Sequence, residues 1–335
     1  MLIGIFGSKD DPQCQQMASV LEAKGHSAFL VEADAIGQGH DHSIDQDGIF
    51  YGDQCLDEIP AFYLRHITSP MAPIVRMQEG EEPVLYRDWF TEYMHMREQQ
   101  GLVISFLLAL EERGACLVNP PFAGSVNQYK PFQLSGLRHH GIPLPKTLVT
   151  NNPERVKRFL EEVGDVVFKP SMGGALCRRL DKDKLEELEL IRKSPVIFQE
   201  CIEGEDVRVM MVNGEAVSSM IVDSTTLDFR DDPNYSSGAG TYRELDLPDD
   251  IVAMCAKAQS LLGLRFAGID LKYCDNDTYY FIEANSSPIY LDVELKHGHN
   301  ITERIADLLI QEAKTPQHER PGPPSLKRHQ DETLR

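Results

Sequence analysis

The sequence has few cysteines, and none of them belongs to a recognisable pair. Its seven cysteines are scattered through 335 residues, and no CxxC motif occurs. This spacing predicts neither a disulfide framework nor a cysteine-based zinc site. The pattern favours a reducing, cytoplasmic compartment.

Long apolar runs and positive charge are also scarce. No stretch approaches the roughly 20 apolar residues that a membrane-spanning helix needs, so no membrane protein is predicted. The opening MLIGIFGSKDD lacks a cationic start and predicts a first strand instead of a signal peptide. Lys and Arg number 33 against 53 Asp and Glu, a formal net charge of −20. Such acidity argues against a general binder of nucleic acid or anionic membranes.

Strand and helix signals in the first half predict a βαβ beginning. Strands at 2–6 and 27–32 flank a helix-like segment that Gly25 would end. A helical pattern at 84–113, interrupted by Gly101, is expected to cover one face of their sheet. At 335 residues the chain exceeds the usual size of one compact core, which favours several lobes.

Strands dominate the second half. A small α/β unit is predicted first, from helix 153–162, strand 165–169, helix 182–192 and strand 195–201. Asn213-Gly214 then separates two strand-like runs and is a strong signal for a type I′ hairpin. The polar stretch 223–249 is too long for an ordinary connector and predicts a mobile substrate loop.

Three oxygen-bearing side chains converge on a predicted hairpin at 266–285. Asp270 and Glu283 lie equally far from the centre of its turn and should face each other, and Asn285 shares their sheet face. Like charges so placed need a compensating cation, and oxygen ligands suit Mg²⁺ held also by phosphates. The pattern alone is equally compatible with a solvated sheet face on which Lys272 neutralises the carboxylates.

Two further segments offer the chemistry of a nucleotide site. Lys169 ends the strand DVVFK and precedes Gly173 and Gly174, whose backbone can approach a phosphate closely. Asp206 and Arg208 share a strand face, where the acid can accept from ribose hydroxyls and the guanidinium can bind phosphate bidentately. When each segment is taken alone, the first is also compatible with an ordinary turn that carries a surface lysine. The second is also compatible with a surface ion pair between Asp206 and Arg208.

The order of these features resembles the ATP-grasp superfamily over roughly residues 115–311. The chain presents Lys130, then KP with a glycine segment, then QECI with a following acid, then D…E-x-N. The hairpin spacing and the ending EANSSPIYLDVELKHGHNI look especially like RimK-type glutamate ligases and glutathione synthetases. The resemblance implies an α/β fold: a pre-ATP-grasp domain at 1–118, ATP-grasp lobes at 119–202 and 203–312, and a disordered tail at 313–335.

The resemblance also implies ligands and a reaction. Phosphate contacts are implied for Lys130, Lys169, Gly173 and Gly174, adenine contacts for Gln199, Glu200 and Ile202, a ribose contact for Asp206, and two Mg²⁺ ions, with Mn²⁺ as the alternative, for Asp270, Glu283 and Asn285. In the family reaction a substrate carboxylate attacks the γ-phosphate of ATP to give an acylphosphate and ADP. An amine then displaces phosphate to form an amide.

The match departs from the RimK pattern in two places. SMGGAL is shorter than the glycine-rich form of RimK relatives, and 223–249 lacks their arginine-asparagine-glycine run. Arg230 and Arg243 are the cations available in that stretch, which loosely resembles the ligases that cyclise ribosomal peptides. We expect catalysis from Arg208, Lys169 and Arg243.

The substrates and the assembly stay open. The carboxylate substrate and the amine acceptor could be amino acids, peptides or proteins, and a homodimer is the symmetric default. The alternative function is an ATP-binding regulatory or scaffold protein without turnover, which the shortened glycine segment favours. No nucleic-acid or membrane partner is predicted.

Overall fold

The computed structural model describes residues 1–32, 41–65, 89–172, 175–236 and 240–315. The chain divides into two units, Met1–Pro121 with the segment that begins at Ile305, and Phe122–Arg304. Each unit combines helices with sheets, which confirms the predicted α/β class. None of the helices in the described ranges is long and apolar enough to cross a lipid bilayer.

The first unit is built on a parallel sheet. Its elements, in chain order, are β1 (Leu2–Gly7), α1 (Pro12–Ala23), β2 (Ser27–Glu32), β3 (His42–Ile44), β4 (Ile49–Tyr51), β5 (Gln54–Cys55), a 3₁₀ turn (Leu56–Glu58), β6 (Ala61–Leu64), α2 (Trp89–Glu112) and β7 (Cys116–Val118). The parallel strands lie in the order β2-β1-β6-β7, and β3, β4 and β5 form a separate antiparallel sheet. The predicted βαβ beginning is therefore confirmed.

Helix α2 covers one face of this sheet, as predicted. Its buried side chains recur at spacings of three and four residues and share a core cluster with strands β1 and β6: Val103, Phe106, Leu107 and Leu110. Residues 84–88 of the predicted helix lie outside the described ranges. The predicted interruption at Gly101 is wrong, because the helix continues through it. One helical glycine costs about 0.5–1 kcal/mol relative to alanine, which the burial of this apolar stripe outweighs.

The second unit contains two antiparallel sheets. The remaining elements, in chain order, are α3 (Pro121–Gly124), a 3₁₀ turn (Val126–Gln128), α4 (Lys130–His139), β8 (Thr147–Thr150), α5 (Pro153–Val163), β9 (Val166–Pro170), β10 (Arg178–Arg179), 3₁₀ turns (Lys182–Lys193), β11 (Val196–Glu200), β12 (Glu205–Val212), β13 (Glu215–Asp223), a 3₁₀ turn (Phe229–Asp231), α6 (Pro233–Ser236), β14 (Thr241–Glu244), α7 (Asp249–Leu261), β15 (Phe266–Tyr273), β16 (Tyr279–Asn285), α8 (Leu291–His297) and α9 (Ile301–Lys314). The small sheet has the order β10-β9-β11-β8, and the large sheet has the order β14-β13-β12-β15-β16.

The hairpin of β15 and β16 has the predicted pairing, but it reaches that pairing through a bulge. Asp270 pairs with Glu283, whereas Leu271 pairs with Phe281, so the register shifts by one residue beside the carboxylates. The other predicted hairpin, between β12 and β13, has positive φ angles of 48° at Asn213 and 89° at Gly214. Those angles agree with a type I′ turn.

The stretch predicted as a loop at 223–249 is wrong in part, because much of it is regular structure. It contains a 3₁₀ turn, α6, and the edge strand β14, which pairs antiparallel with β13. The side chains of Asp228 and Asp232 accept hydrogen bonds from the backbone N–H groups of Arg230 and Asn234 and so begin the two short helical turns. Such local caps are weak signals in sequence, where the same residues also mark loops.

Two glycines should respond in opposite ways to replacement by alanine. A Cβ at Gly101 meets nothing within 4 Å, whereas a Cβ at Gly204 would lie 2.4 Å from the carbonyl oxygen of Tyr273. We expect Gly101→Ala to raise the free energy of unfolding by about 0.5–1 kcal/mol and Gly204→Ala to lower it by about 1–3 kcal/mol. Thermal unfolding followed by circular dichroism measures both; equal shifts of the same sign would contradict the packing described.

Candidate active site

A cavity of about 400 Å³ lies between the small and the large sheet of the second unit. The small sheet contributes Lys169 at the end of β9 and Gln199 at the end of β11. The large sheet contributes polar side chains that point from neighbouring strands to one face: Asp206, Arg208, Asp270, Lys272, Glu283 and Asn285. Most of the residues predicted to act together therefore line one space.

Glu283 is held between two lysines. Its Oε2 atom accepts from Nζ of Lys130, at the start of α4, and from Nζ of Lys169, each at 3.0 Å. The side chains of Glu283, Lys130 and Lys169 are 14%, 9% and 8% exposed, so the three charges are largely desolvated. Burial alone would raise the pKa of Glu283, but the two lysines outweigh it and lower that pKa.

Asp270 is bound by a guanidinium and an amide. Arg208 donates from Nε to Oδ1 at 2.9 Å and from Nη2 to Oδ2 at 3.1 Å, a bidentate pair formed across β12 and β15. Asn285 donates from Nδ2 to Oδ2 of Asp270 at 3.0 Å. Asn285 thus contacts Asp270, which lies opposite Glu283 on the neighbouring strand.

The hairpin residues fit a hard divalent cation. The amide of Asn285 also lies 3.5 Å from Oε1 of Glu283, so the amide bridges both carboxylates. Rotation of that amide by half a turn presents its oxygen in place of its nitrogen, which completes an all-oxygen donor set. Lysines and an arginine beside the same oxygens supply the positive charge that buried carboxylates require.

Lys272 and Asp206 form a separate pair at another part of the cavity. Their Nζ and Oδ1 atoms lie 2.9 Å apart. Asp206 therefore pairs with Lys272, which corrects the alternative of an ion pair between Asp206 and Arg208. Lys272 likewise does not neutralise the hairpin carboxylates, which corrects the alternative drawn from the hairpin pattern. Burial raises the pKa of Asp206, and Lys272 opposes that rise.

The connection from β11 to β12 lines the same cavity. The cavity wall here is formed by the end of β11 and the residues that follow it: Gln199, Glu200, Cys201 and Ile202. The side chain of Gln199 donates to Oγ1 of Thr147 at 3.1 Å, which fixes its orientation. Burial raises the pKa of the Cys201 thiol, so this cysteine is not an activated nucleophile.

A second acidic cluster, Asp165 with Cys201 and Glu203, is explained by an arginine. The three ligand atoms lie within 4.8 Å of one another. Arg179 contacts all three side chains, donating to Glu203 at 2.9 Å and approaching the sulfur of Cys201 at 3.5 Å. This cluster is therefore an exposed salt-bridge network.

Beside Arg230, the segment between β13 and β14 contributes Asp228, Phe229 and Tyr235, which the sequence did not single out. Asp228 accepts from the backbone N–H of Cys177 at 2.8 Å and from Nε of Arg230 at 2.8 Å. Burial raises the pKa of Asp228, but Arg230 and the backbone donors outweigh it and lower that pKa. Phe229 and Tyr235 line the cavity beside them. Nothing in the run DFRDDPNY distinguishes these residues from an ordinary polar loop.

Among the described residues, the predicted site residue Arg243 does not line the cavity, and Lys130 reaches the site through its contact with Glu283. Gly173 and Gly174 lie outside the described residues. Arg243 lies on the edge strand β14, where it pairs with Asp223 at 2.9 Å and with Glu205, and its side chain is 53% exposed. Because side chains alternate along a strand, burial of Tyr242 turns Arg243 to the other face. Arg230 is the cation of this stretch that lines the cavity.

Comparison with known proteins finds a family model that covers most of the second unit. A family described as the RimK-like ATP-grasp domain matches residues 126–309. Beta-citrylglutamate synthase B of Danio rerio is 31% identical over 221 residues, covering 62% of this chain and 53% of that protein. N-acetylaspartylglutamate synthase A of Homo sapiens is 30% identical over 218 residues, covering 61% and 54%. The chain thus spans about half the length of these curated relatives.

Solved structures match over nearly their whole length. The ATP-grasp ligase PsnB, complexed with a phosphomimetic variant of a minimal precursor, Mg and ADP, is 32% identical with a TM-score of 0.81, covering 93% of this chain and 98% of that chain. The macrocyclase MdnC of Microcystis aeruginosa MRC, bound with precursor peptide MdnA, is 23% identical with a TM-score of 0.75, covering 92% and 99%. The second likeness concerns the fold alone.

Proposed function

Because the chain belongs to the RimK-like ATP-grasp family, we propose that it is an ATP-dependent carboxylate–amine ligase. A substrate carboxylate would take the γ-phosphoryl group of ATP to give an acylphosphate and ADP. An amine would then attack the acyl carbon, and phosphate would leave as the amide forms. No side-chain nucleophile is required for either step.

The proposal rests on one observation. The buried carboxylates of Asp270 and Glu283, each paired with cations, line the same cavity as the ion pair between Asp206 and Lys272. Phosphoryl transfer is catalysed chiefly by positioning and by neutralising phosphate charge. Lys130, Lys169 and Arg208 provide that neutralisation at the hairpin. Asp206, with its carboxylate held by Lys272, is suited to accept from ribose hydroxyls.

The proposed nucleotide site assigns a role to each wall of the cavity. Gln199, Glu200 and Ile202 would contact adenine, and Lys130 and Lys169 would contact phosphate oxygens, for which they leave Glu283. The residues Asp270, Glu283 and Asn285 would hold Mg²⁺, which supplies Lewis-acid neutralisation of the phosphates when bound. A second magnesium ion, and Mn²⁺ as a substitute, remain predictions, as do phosphate contacts from Gly173 and Gly174.

Arg230 marks the substrate part of the cavity in this proposal. Its Nε and Nη2 atoms are bound by Asp228, which leaves Nη1 without a partner among the described residues. The pKa of Arg230 is raised, mainly by its hydrogen bonds to Asp228. The nearby carboxylates of Glu283 and Asp270 raise it further. A fixed guanidinium with one exposed edge is suited to a carboxylate substrate.

A peptide is the substrate class that we propose for this site. A solved structure of PsnB, 30% identical to this chain, contains precursor peptide PsnA2 and covers 93% of this chain, whereas the curated synthases match only about 61–62% of it. A peptide substrate also agrees with the folded segment after β13, which departs from the RimK pattern. The cytoplasmic compartment and the homodimer remain predictions from sequence.

A hydroxylamine trap tests the ligase proposal. We expect ATP, Mg²⁺, a carboxylate substrate and hydroxylamine to yield ADP, phosphate and a hydroxamate, because hydroxylamine intercepts an acylphosphate. Glutamate, aspartate and peptides rich in these residues are the acids to compare. Release of AMP and pyrophosphate would contradict the mechanism, and nucleotide binding without turnover for any acid would favour the scaffold alternative.

A further inference from the structure

Tyr235 places a hydroxyl in the cavity wall whose proton has no acceptor among the described residues. Its oxygen accepts a hydrogen bond from Nη1 of Arg208 at 2.9 Å. That is the single hydrogen bond of this phenol within the described part of the chain. Because a phenol can both accept and donate, the O–H group remains available to a molecule bound in the cavity.

Arg208 holds this arrangement with three of its five N–H groups. Asp270 accepts from Nε and from Nη2, and Tyr235 accepts from Nη1. Donation from a guanidinium polarises the phenol and makes its O–H a stronger donor. Burial raises the pKa of Tyr235, which keeps the phenol protonated at neutral pH.

Phe229 fixes both partners from one side. Its ring lies 4.9 Å below Cζ of Arg208 and packs edge-on against Tyr235, with ring centroids 4.8 Å apart. The ring is buried in the small cluster that also contains Tyr242 and Val293. One ring contact with Phe229 and one hydrogen bond from Arg208, which itself stacks on Phe229, therefore hold the phenol in place.

We infer that Tyr235 is a catalytic residue of the ligase proposed above, donating its O–H hydrogen bond to the acyl oxygen of the acylphosphate. This inference rests on the proposed function. When the amine attacks, its nitrogen bonds to the acyl carbon and the acyl oxygen gains negative charge. The bond from carbon to the phosphate oxygen then breaks, and the amine proton leaves with inorganic phosphate. Tyr235 keeps its own proton throughout.

The family pattern does not suggest this residue, since the segment around Tyr235 is where the chain departs from RimK relatives. A donor aimed at a developing oxyanion contributes about 10²–10³-fold to turnover. It contributes little to nucleotide affinity, because the charge appears only during reaction. Loss of the Tyr235 hydroxyl should therefore lower turnover and leave nucleotide affinity nearly unchanged.

Removal of one oxygen atom tests the inference. We expect Tyr235→Phe to lower kcat for hydroxamate formation about 10²-fold while calorimetric ADP affinity and the KM for ATP stay within twofold. The matched control is Tyr242→Phe, which removes a hydroxyl from the same cluster; that hydroxyl donates to Asp292 and does not line the cavity. We expect the control to keep kcat within twofold.

A double-mutant cycle with Arg208→Lys separates catalysis from folding. Lysine cannot serve Asp270 bidentately and Tyr235 together, so Tyr235→Phe should have much less effect in the Arg208→Lys protein than in wild type. Independent losses that multiply would overturn the inference, as would a Tyr235→Phe protein with wild-type kcat. A wild-type protein that forms no hydroxamate overturns the ligase proposal and this inference together, whereas an active wild type with an equally active Tyr235→Phe overturns the inference alone.

Discussion

Replacement of Glu283 by Gln should lower turnover by on the order of 10³-fold or more. The carboxylate is a proposed magnesium ligand and the counter-charge of Lys130 and Lys169, at 3.0 Å from each Nζ atom. A neutral amide keeps the shape of the side chain but removes the charge that organises both lysines. The measurement is the rate of ADP release with saturating ATP, Mg²⁺ and acid substrate.

The same substitution should also destabilise the protein. Removing one partner of a buried ion pair costs about 3–5 kcal/mol, because the other charge stays buried without compensation. Glu154→Gln is the matched control, since Glu154 pairs with Lys157 at 2.8 Å on the surface, with 64% of its side chain exposed. We expect that control to change neither turnover nor stability measurably. Unchanged turnover in Glu283→Gln would refute the proposed role of the hairpin.

Replacement of Arg208 by Met should lower kcat by about 10³-fold. The guanidinium is the bidentate partner of Asp270 and the donor to Tyr235, so its loss disorders two groups of the site at once. Arg208 is only 8% exposed, and methionine of similar length preserves much of its packing. Single-turnover measurement of ADP and hydroxamate would separate a defect in phosphoryl transfer from one in amine attack.

The variant Arg243→Met tests whether Arg243 acts in catalysis, as Arg208 is proposed to do. Arg243 was expected from sequence to act in catalysis, but it lies in exposed ion pairs with Asp223 and Glu205. We expect turnover within threefold of wild type, because exposed ion pairs contribute at most about 1 kcal/mol. A loss as large as that of Arg208→Met would instead return Arg243 to the catalytic site.

Local patterns explain which parts of the fold were predictable. The βαβ beginning and the hairpin at Asn213-Gly214 follow from short-range periodicity and turn chemistry, and both are confirmed. The strand β14 and the short turns at 229–236 were missed, because their side-chain caps and aromatic packing resemble loop composition in sequence. The continuity of α2 through Gly101 was missed because tertiary burial of its apolar stripe overrides a single glycine.

The sequence by itself predicted that Asp270 and Glu283 face each other, because strand pairing about a short turn is a local property, although the pairing also depends on a bulge beside Asp270 that the sequence did not predict. The order of its lysines, acids and hairpin likewise determined the family. Only the tertiary structure decided which cations meet those acids: Lys130 is 153 residues from Glu283 in sequence, and Arg208 is 62 residues from Asp270. It also decided that Arg230, Phe229 and Tyr235 line the cavity while Arg243 does not. Such long-range choices depend on the packing of a buried aromatic cluster and on which face of an edge strand is covered, and neither is encoded in residue spacing.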